Sequence, residues 1–382
     1  MTTIRDVAKR AGVAPVTVSR VMNDAPNVNA ETRQRVEQAI SDLGYVPNVA
    51  ARSLRSRRTR SLAFVVPDIT NPFWTTVARG AEDAAQSHGY SVLLCNTDEN
   101  LTKQQRYLDI IVSQRVDGII IAPCSTDADQ LATLRDHGIM TVVIDRRIEG
   151  WDVDTVCGDS LSGAYALTRH LIDLGHTRIA MLSGPKDTST AEDRIEGYRL
   201  ALEESGIEPD PRLIRRGGYS MPTGRDLAGQ LLDEGLSPTA IFAANNSIAL
   251  GVVEAAGARG LRIPADLALV CFDDYPYVAS FFPFLTIVAQ PAYDMGKQAA
   301  KSLLNRLESR VPLEPRHLVL PVQLVIRHSC GSTIGSGGSS VLNLPLKGLA
   351  GARVVPVRPI GQEAALAGAV RALPAVERDG LL

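Results

Sequence analysis

Polar and aromatic side chains of this sequence gather at a few points where a polyhydroxy ligand could be held. Asp68-Ile69-Thr70-Asn71-Pro72-Phe73-Trp74 and Asp145-Arg146-Arg147 each follow an apolar run, as do Asn245-Asn246 and Asp273-Asp274, while Arg194 lies near a helix start. The apolar runs lack strict alternation, as strands covered on both faces require. Ligands of an open parallel sheet sit beyond the carboxyl ends of its strands, where most of these groups fall. Aromatic faces stack on the C–H faces of a sugar, and Asp, Asn and Arg bind its hydroxyls. Singly, each has a plainer reading: Phe73 as core, Asn71 as a helix cap, Asp145-Arg146 as a local ion pair.

A second chemistry lies near the N-terminus. A short helix from about Pro15 to Met22, laid in the major groove of DNA, would present Pro15, Val16 and Thr17 to base edges, with Arg20 one turn later. The first two offer apolar surface to thymine methyls, and Arg20 can bind guanine bidentately or settle on a phosphate. A protein-docking trihelix is the competing reading. Residues 1–60 carry eleven basic against five acidic residues, a net +6, whereas the remainder carries 29 against 37, a net -8. A basic module joined to an acidic body suggests a phosphate-seeking head.

The elements that must position these groups fall into three blocks. Thr3 with Asp6 gives a capping-box pattern before the apolar face of Ile4, Val7 and Ala8, and Gly12 stops that helix. The helix at Pro15 follows across a tight turn, and a third runs from Ala30 to Leu43 behind Asn29 as cap, giving an all-α helix-turn-helix head over residues 1–46. Residues 47–60 form a hinge segment and basic linker, too short to be helical alone.

From Ser61 strand and helix alternate. Strands are expected at Leu62–Val66, Ser91–Cys95, Gly118–Ala122 and Thr141–Ile144, then at Arg178–Leu182, Ile214–Arg216, Ala240–Ala243 and Leu267–Cys271. Two successive α/β units with parallel sheets imply two lobes and a cleft over residues 61–330. Segments Pro291–Leu307 and Gln323–Arg327 are expected to complete the second lobe. Residues 331–382 read as a Gly/Ser/Ala/Pro-rich tail of no assigned role, expected to be dispensable.

No Gly-x-Gly-x-x-Gly, phosphate-loop or Gly-x-Ser-x-Gly motif occurs, so no enzyme is expected. His137, His170 and His176 lie near helix ends, where solvated or capping roles are ordinary. The five cysteines are odd in number and widely spaced, reading as buried hydrophobes of a reducing compartment. Neither a metal nor a cofactor is expected. No apolar run is long enough for a membrane span, so the expectation is a cytoplasmic, nucleoid-associated protein.

Ile4-Arg5-Asp6-Val7-Ala8, Ala11-Gly12-Val13, Thr17-Val18-Ser19-Arg20-Val21, Val28-Asn29, Gly44-Tyr45-Pro47-Asn48 and Ala51-Arg52-Ser53-Leu54 resemble the head and hinge of the lactose and galactose repressor family. The resemblance implies a sequence-specific DNA-binding repressor acting as a homodimer on palindromic double-stranded operator DNA. It implies DNA contacts from Thr3, Pro15, Val16, Thr17, Arg20, Asn23, Asn29, Arg52, Leu54 and Arg55, with Leu54 wedged in the minor groove. The body, over about residues 61–328, resembles the periplasmic sugar-binding-protein fold. Its ribose-binding branch implies a small effector, a sugar or polyol, held by Asn71, Phe73, Trp74, Asp145, Arg146, Arg194, Asn245, Asp273 and Gln290, with Trp151, Tyr275 and Phe282 at the rim. Arg147 leaves a sugar acid or sugar phosphate open, and a purine effector is a further alternative. An architectural DNA-binding protein with a vestigial sugar fold is the other alternative.

Overall fold

The computed structural model describes residues 2–22, 24–45, 58–275, 284–333, 339–344 and 353–354, and the chain forms two compact units, residues 1–59 and 60–382. Asn23, the hinge residues Arg52, Leu54 and Arg55, Phe282 and most of the tail lie outside the described residues.

The head holds α1 (Ile4–Ala11), α2 (Pro15–Met22) and α3 (Ala30–Asp42). The Thr3 hydroxyl accepts from the Asp6 amide and the Asp6 carboxylate accepts from the Thr3 amide at 2.8 Å, so two orphan donors of α1 are satisfied. Gly12, at φ 66°, turns the chain sharply enough for α2 to begin three residues later. Asn29 caps α3 by accepting from the Thr32 amide at 2.8 Å. Val7, Ala8, Val18, Val21, Val36 and Ala39 meet in one small core, ringed by Ile4, Met22, Ile40 and Leu43.

Among the described residues the body has two seven-stranded sheets. The first runs β14 (Arg353–Val354), β11 (His317–Leu320), β5 (Asp154–Gly158), β4 (Met140–Ile144), β3 (Gly118–Ile121), β1 (Ser61–Val66) and β2 (Ser91–Asn96), all parallel. The second runs β13 (Ser340–Asn343), β12 (Gln323–Ile326), β10 (Thr286–Ala289), β9 (Ala268–Phe272), β8 (Ala240–Ala243), β6 (Ile179–Ser183) and β7 (Ile214–Arg216). Here β12 is antiparallel to both β10 and β13, so this sheet departs from the purely parallel expectation at one edge.

The helices are α4 (Pro72–Gln86), α5 (Leu101–Gln114), α6 (Ala132–Asp136), α7 (Ser160–Asp173), α8 (Ser189–Glu204), α9 (Met221–Asp233), α10 (Asn246–Ala258) and α11 (Ala292–Glu308). They cover both faces of the sheets. In β1, Leu62, Phe64 and Val66 pack with Val77 of α4 and Met295 and Leu303 of α11, while Ala63 and Val65 pack with Leu108 of α5 on the other face. That is why the strand shows no alternation. Among the described residues no helix is long and apolar enough to cross a membrane.

One expectation is corrected by the packing. The helix near Pro291–Leu307 does not complete the second lobe: as α11 it lies on α4 and on the first sheet. Gly80 and Gly296 permit the close approach, since a Cβ on Gly80 would stand 2.0 Å from the Tyr293 carbonyl and one on Gly296 1.8 Å from that of Val77. The chain therefore passes between the lobes four times, after β5, after β10, after β11 and after β13. Only Gln323–Ile326 joins the second sheet as expected. The tail is also less separate than its composition suggests, for Ser340–Asn343 pairs with β12 and Asn343 accepts from the Gln323 amide at 2.6 Å. Deleting residues 331–382 would strip an edge strand, so the expectation that they are dispensable loses its ground.

Candidate functional site

The cleft between the two sheets is built from strand ends. Beyond β1, Asn71 caps α4 and accepts from the Phe73 amide at 3.0 Å, which turns Phe73 and Trp74 inward at the first turn. The two rings stand edge to face with centroids 4.9 Å apart. The Asn71 amide also crosses to the second lobe, donating to the Asn246 side chain at 2.8 Å and accepting from it at 3.1 Å. Asn245, next to it, caps α10 through the Ile248 amide at 2.8 Å.

Beyond β4 and β9 stand Asp145 and Asp273, both buried and both left-handed, with φ 65° and 63°. Each donates its backbone N–H at 2.8 Å to a carbonyl of the next strand, Val156 and Val288 respectively. This geometry carries an energetic cost for a non-glycine residue, and both residues line the cleft. Burial pushes the Asp145 carboxyl above its usual range against the pull of Arg194 and Arg146. Burial likewise raises Asp273 to about 7, opposed by Arg194 and by the Gln290 amide, whose nitrogen lies 3.1 Å from Oδ1.

The cations are differently employed. Arg146 does not pair with Asp145, as the sequence suggested; its two terminal nitrogens grip the Glu99 carboxylate, Nη1 at 2.8 Å from Oε2, and Nη1 also donates to the Pro123 carbonyl at 2.7 Å. Arg194 on α8 donates to the Ala244 carbonyl at 2.6 Å and lies 4.0 Å over the Phe272 ring. Arg147 points away from the site and ties the lobes together through Asp193, at 2.6 and 2.7 Å.

Asn71, Phe73, Trp74, Asp145, Arg146, Arg194, Asn245, Asp273 and Gln290 all line one cavity. Asp68, Glu99, Thr190 and Tyr219 line it too. Sequence reasoning quoted Asp68 only in passing and missed the other three. Glu99 follows β2, so the strand-end rule used for β1 and β4 would have found it. Four buried polar atoms of this wall, Asp145 Oδ1, Arg146 Nε, Arg194 Nε and Gln290 Oε1, have no hydrogen-bond partner. Polar groups held out of water without partners are costly, and their concentration around one cavity marks a place shaped for a polar ligand. Trp151 and Tyr275 do not line it: Trp151 packs against the core beneath β3, and the Tyr275 hydroxyl sits 3.3 Å from Ser247.

On the head, Pro15, Val16 and Arg20 of α2 are exposed and Thr17 is half-buried. Thr3 and Asn29 are occupied in capping α1 and α3. The described residues hold no His/Cys/Asp/Glu cluster suited to a metal ion.

A three-helix head, the arginine-rich sequence of residues 47–60 that follows it and a two-lobed body with a polar cleft define a ligand-responsive DNA-binding regulator. Residues 3–48 match the model of bacterial regulatory proteins of the lacI family, and residues 59–328 match that of periplasmic binding proteins and the sugar binding domain of the LacI family. The chain belongs to that family, whose members are transcription regulators that bind DNA under the control of a small-molecule effector. It is 38% identical over 331 residues to the HTH-type transcriptional regulator DegA of Bacillus subtilis (strain 168), covering 86% of this chain and 98% of that protein. To the ribose operon repressor of Halalkalibacterium halodurans it is 36% identical over 329 residues, covering 86% and 97%. Among solved structures, the lac repressor dimer bound to operator and the anti-inducer ONPF superposes with a TM-score of 0.75 at 28% identity, covering 86% of this chain and 99% of that one.

Proposed function

We propose that this protein is a homodimeric repressor of a palindromic operator whose cleft takes a small sugar or polyol as effector. The observation that carries the ligand class is the set of four unpartnered polar atoms beside Phe73 and Trp74. Asp145 Oδ1 and Gln290 Oε1 accept from hydroxyls, Arg146 Nε and Arg194 Nε donate to ring or hydroxyl oxygens, and the two aromatic rings cover a C–H face. The name of the Halalkalibacterium relative supports a pentose within that class. On the DNA side, Pro15, Val16, Thr17 and Arg20 read bases from α2, Thr3, Asn23, Asn29, Arg52 and Arg55 add further DNA contacts, and Leu54 of the hinge wedges into the minor groove. Effector binding shifts the lobes between DNA-competent and incompetent states through differential affinity.

Calorimetric titration of the full chain with pentoses, hexoses, polyols and purines tests the ligand. At least one sugar or polyol is expected below about 1 mM, and its addition is expected to change operator affinity in fluorescence anisotropy. Binding of a purine alone would overturn the sugar reading and keep the regulator. No binding by any member would favour an effector-independent architectural protein.

A further inference from the structure

We propose that Glu99 is a charge filter: by occupying Arg146 it leaves Arg194, which faces two carboxyl groups, as the guanidinium of the cleft wall not paired in a salt bridge, so the site takes uncharged sugars and rejects sugar acids and sugar phosphates. This deepens the sugar-sensor reading and rests on it.

Three arginines stand near the cleft, and two of them are paired with carboxylates. Arg147 is held outside the cavity by Asp193. Arg146, almost fully buried, is clamped at both terminal nitrogens by Glu99, whose side chain reaches the rim. Arg194 alone is left facing Asp145 and Asp273, and both carboxyls feel its field. An anionic ligand would lose its hydration and meet one guanidinium whose field is already shared by two carboxyl groups.

The position of Glu99 is built. Asp98 and Glu99 are consecutive non-glycine residues at φ 53° and 54°, a backbone arrangement that costs energy in each. The loop is fastened on both sides, by the Thr97 amide to the Val66 carbonyl at 2.9 Å and by Asn100 capping α5 through Lys103 at 2.9 Å. A carboxylate placed by so constrained a turn onto a buried guanidinium sets the charge that a ligand meets.

The test is equilibrium titration of the full chain with ribose, ribonate and ribose 5-phosphate, and with glucose, gluconate and glucose 6-phosphate. For whichever neutral sugar binds, the wild type is expected to hold it at least ten times more tightly than its own anions. Glu99→Gln is expected to move that ratio at least tenfold toward the anions. Inorganic phosphate gives a readout independent of the effector: it is expected to raise the melting temperature of Glu99→Gln and not of the wild type. A wild type that binds an anion as tightly as its neutral parent overturns the filter, as does a folded Glu99→Gln with unchanged selectivity and no response to phosphate. Should Glu99→Gln fail to fold, the wild-type ratio and the milder Glu99→Asp decide. If no sugar of either charge binds, the sugar reading fails by itself, and the phosphate shift still reports on Arg146.

Discussion

Asp145 and Asp273 occupy equivalent corners of the two lobes. Each ends a central strand, each is left-handed, and each anchors its amide on the neighbouring strand at the same distance. The neighbours differ. In the first lobe the next residue is Arg146, turned in beside a carboxylate with an unpartnered oxygen. In the second it is Asp274, whose carboxylate is taken by Arg327 at 2.6 and 3.0 Å, while Gln290 donates to Asp273. One backbone device thus presents two kinds of acceptor: Asp145 keeps a buried oxygen without a partner, whereas Asp273 takes the Gln290 amide at 3.1 Å. Repetition of a fold supplies the position, and the adjacent side chains supply the chemistry.

The comparison predicts that the incomplete corner matters more. Asp145→Ala should lower effector affinity at least a hundredfold, roughly 3 kcal/mol, because no other group replaces the carboxylate. Arg146 keeps Glu99 in that variant, so its fold should survive. Calorimetry on the variant decides it, and a loss below tenfold would erase the distinction between the lobes.

The served corner should show itself through pH. A carboxyl near pKa 7 when folded, against about 4 when unfolded, holds its proton more tightly in the native state. Its contribution to stability is therefore greatest below about pH 4 and declines as pH rises toward 7, by on the order of 2–4 kcal/mol. Denaturant melts at pH 5 and pH 8 should show the wild type losing stability relative to Asp273→Asn on going to the higher pH. A constant gap between the two would mean that Asp273 titrates normally.

Much of the cleft was legible in the sequence because strand ends announce themselves: Asn71, Asp145, Asn245 and Asp273 each stand directly after an apolar run or one turn beyond it. Gln290 and the grouping of all nine residues came from family resemblance. The partner of Arg146 was misread because adjacency in sequence favoured Asp145, whereas Glu99 is brought in by β2 from 47 positions away. For a similar reason α11 was assigned to the wrong lobe: its apolar stripe fixes that it is buried but not against which sheet. The strands β5, β10 and β11 went unpredicted, and the partner that draws β11 into the first sheet, β5, lies far off in the chain.

Smaller effects sharpen the contrast within the first lobe. Arg146→Lys should cost about tenfold in effector affinity despite conserving charge, since an ammonium cannot grip both Glu99 oxygens and also supply an Nε. Equal affinity in titration would show that the planar fork is not needed. Trp74→Phe should cost only a few-fold, since the smaller ring keeps part of the stacking surface. A loss as large as that of Asp145→Ala would place the aromatic wall above the carboxylate in importance.

The four crossings between the lobes carry a consequence for the newly made chain. The first sheet takes its inner strands from residues 61–158 but receives β11 only at His317–Leu320, and its covering helix α11 only at Ala292–Glu308. At ordinary synthesis speeds that leaves a half-built sheet waiting on the order of ten seconds or more on the ribosome. The head can fold as soon as it emerges. The body must stay soluble with the apolar face of α4 bare until the polypeptide is nearly finished, which makes its biogenesis the step most exposed to aggregation and to the help of chaperones.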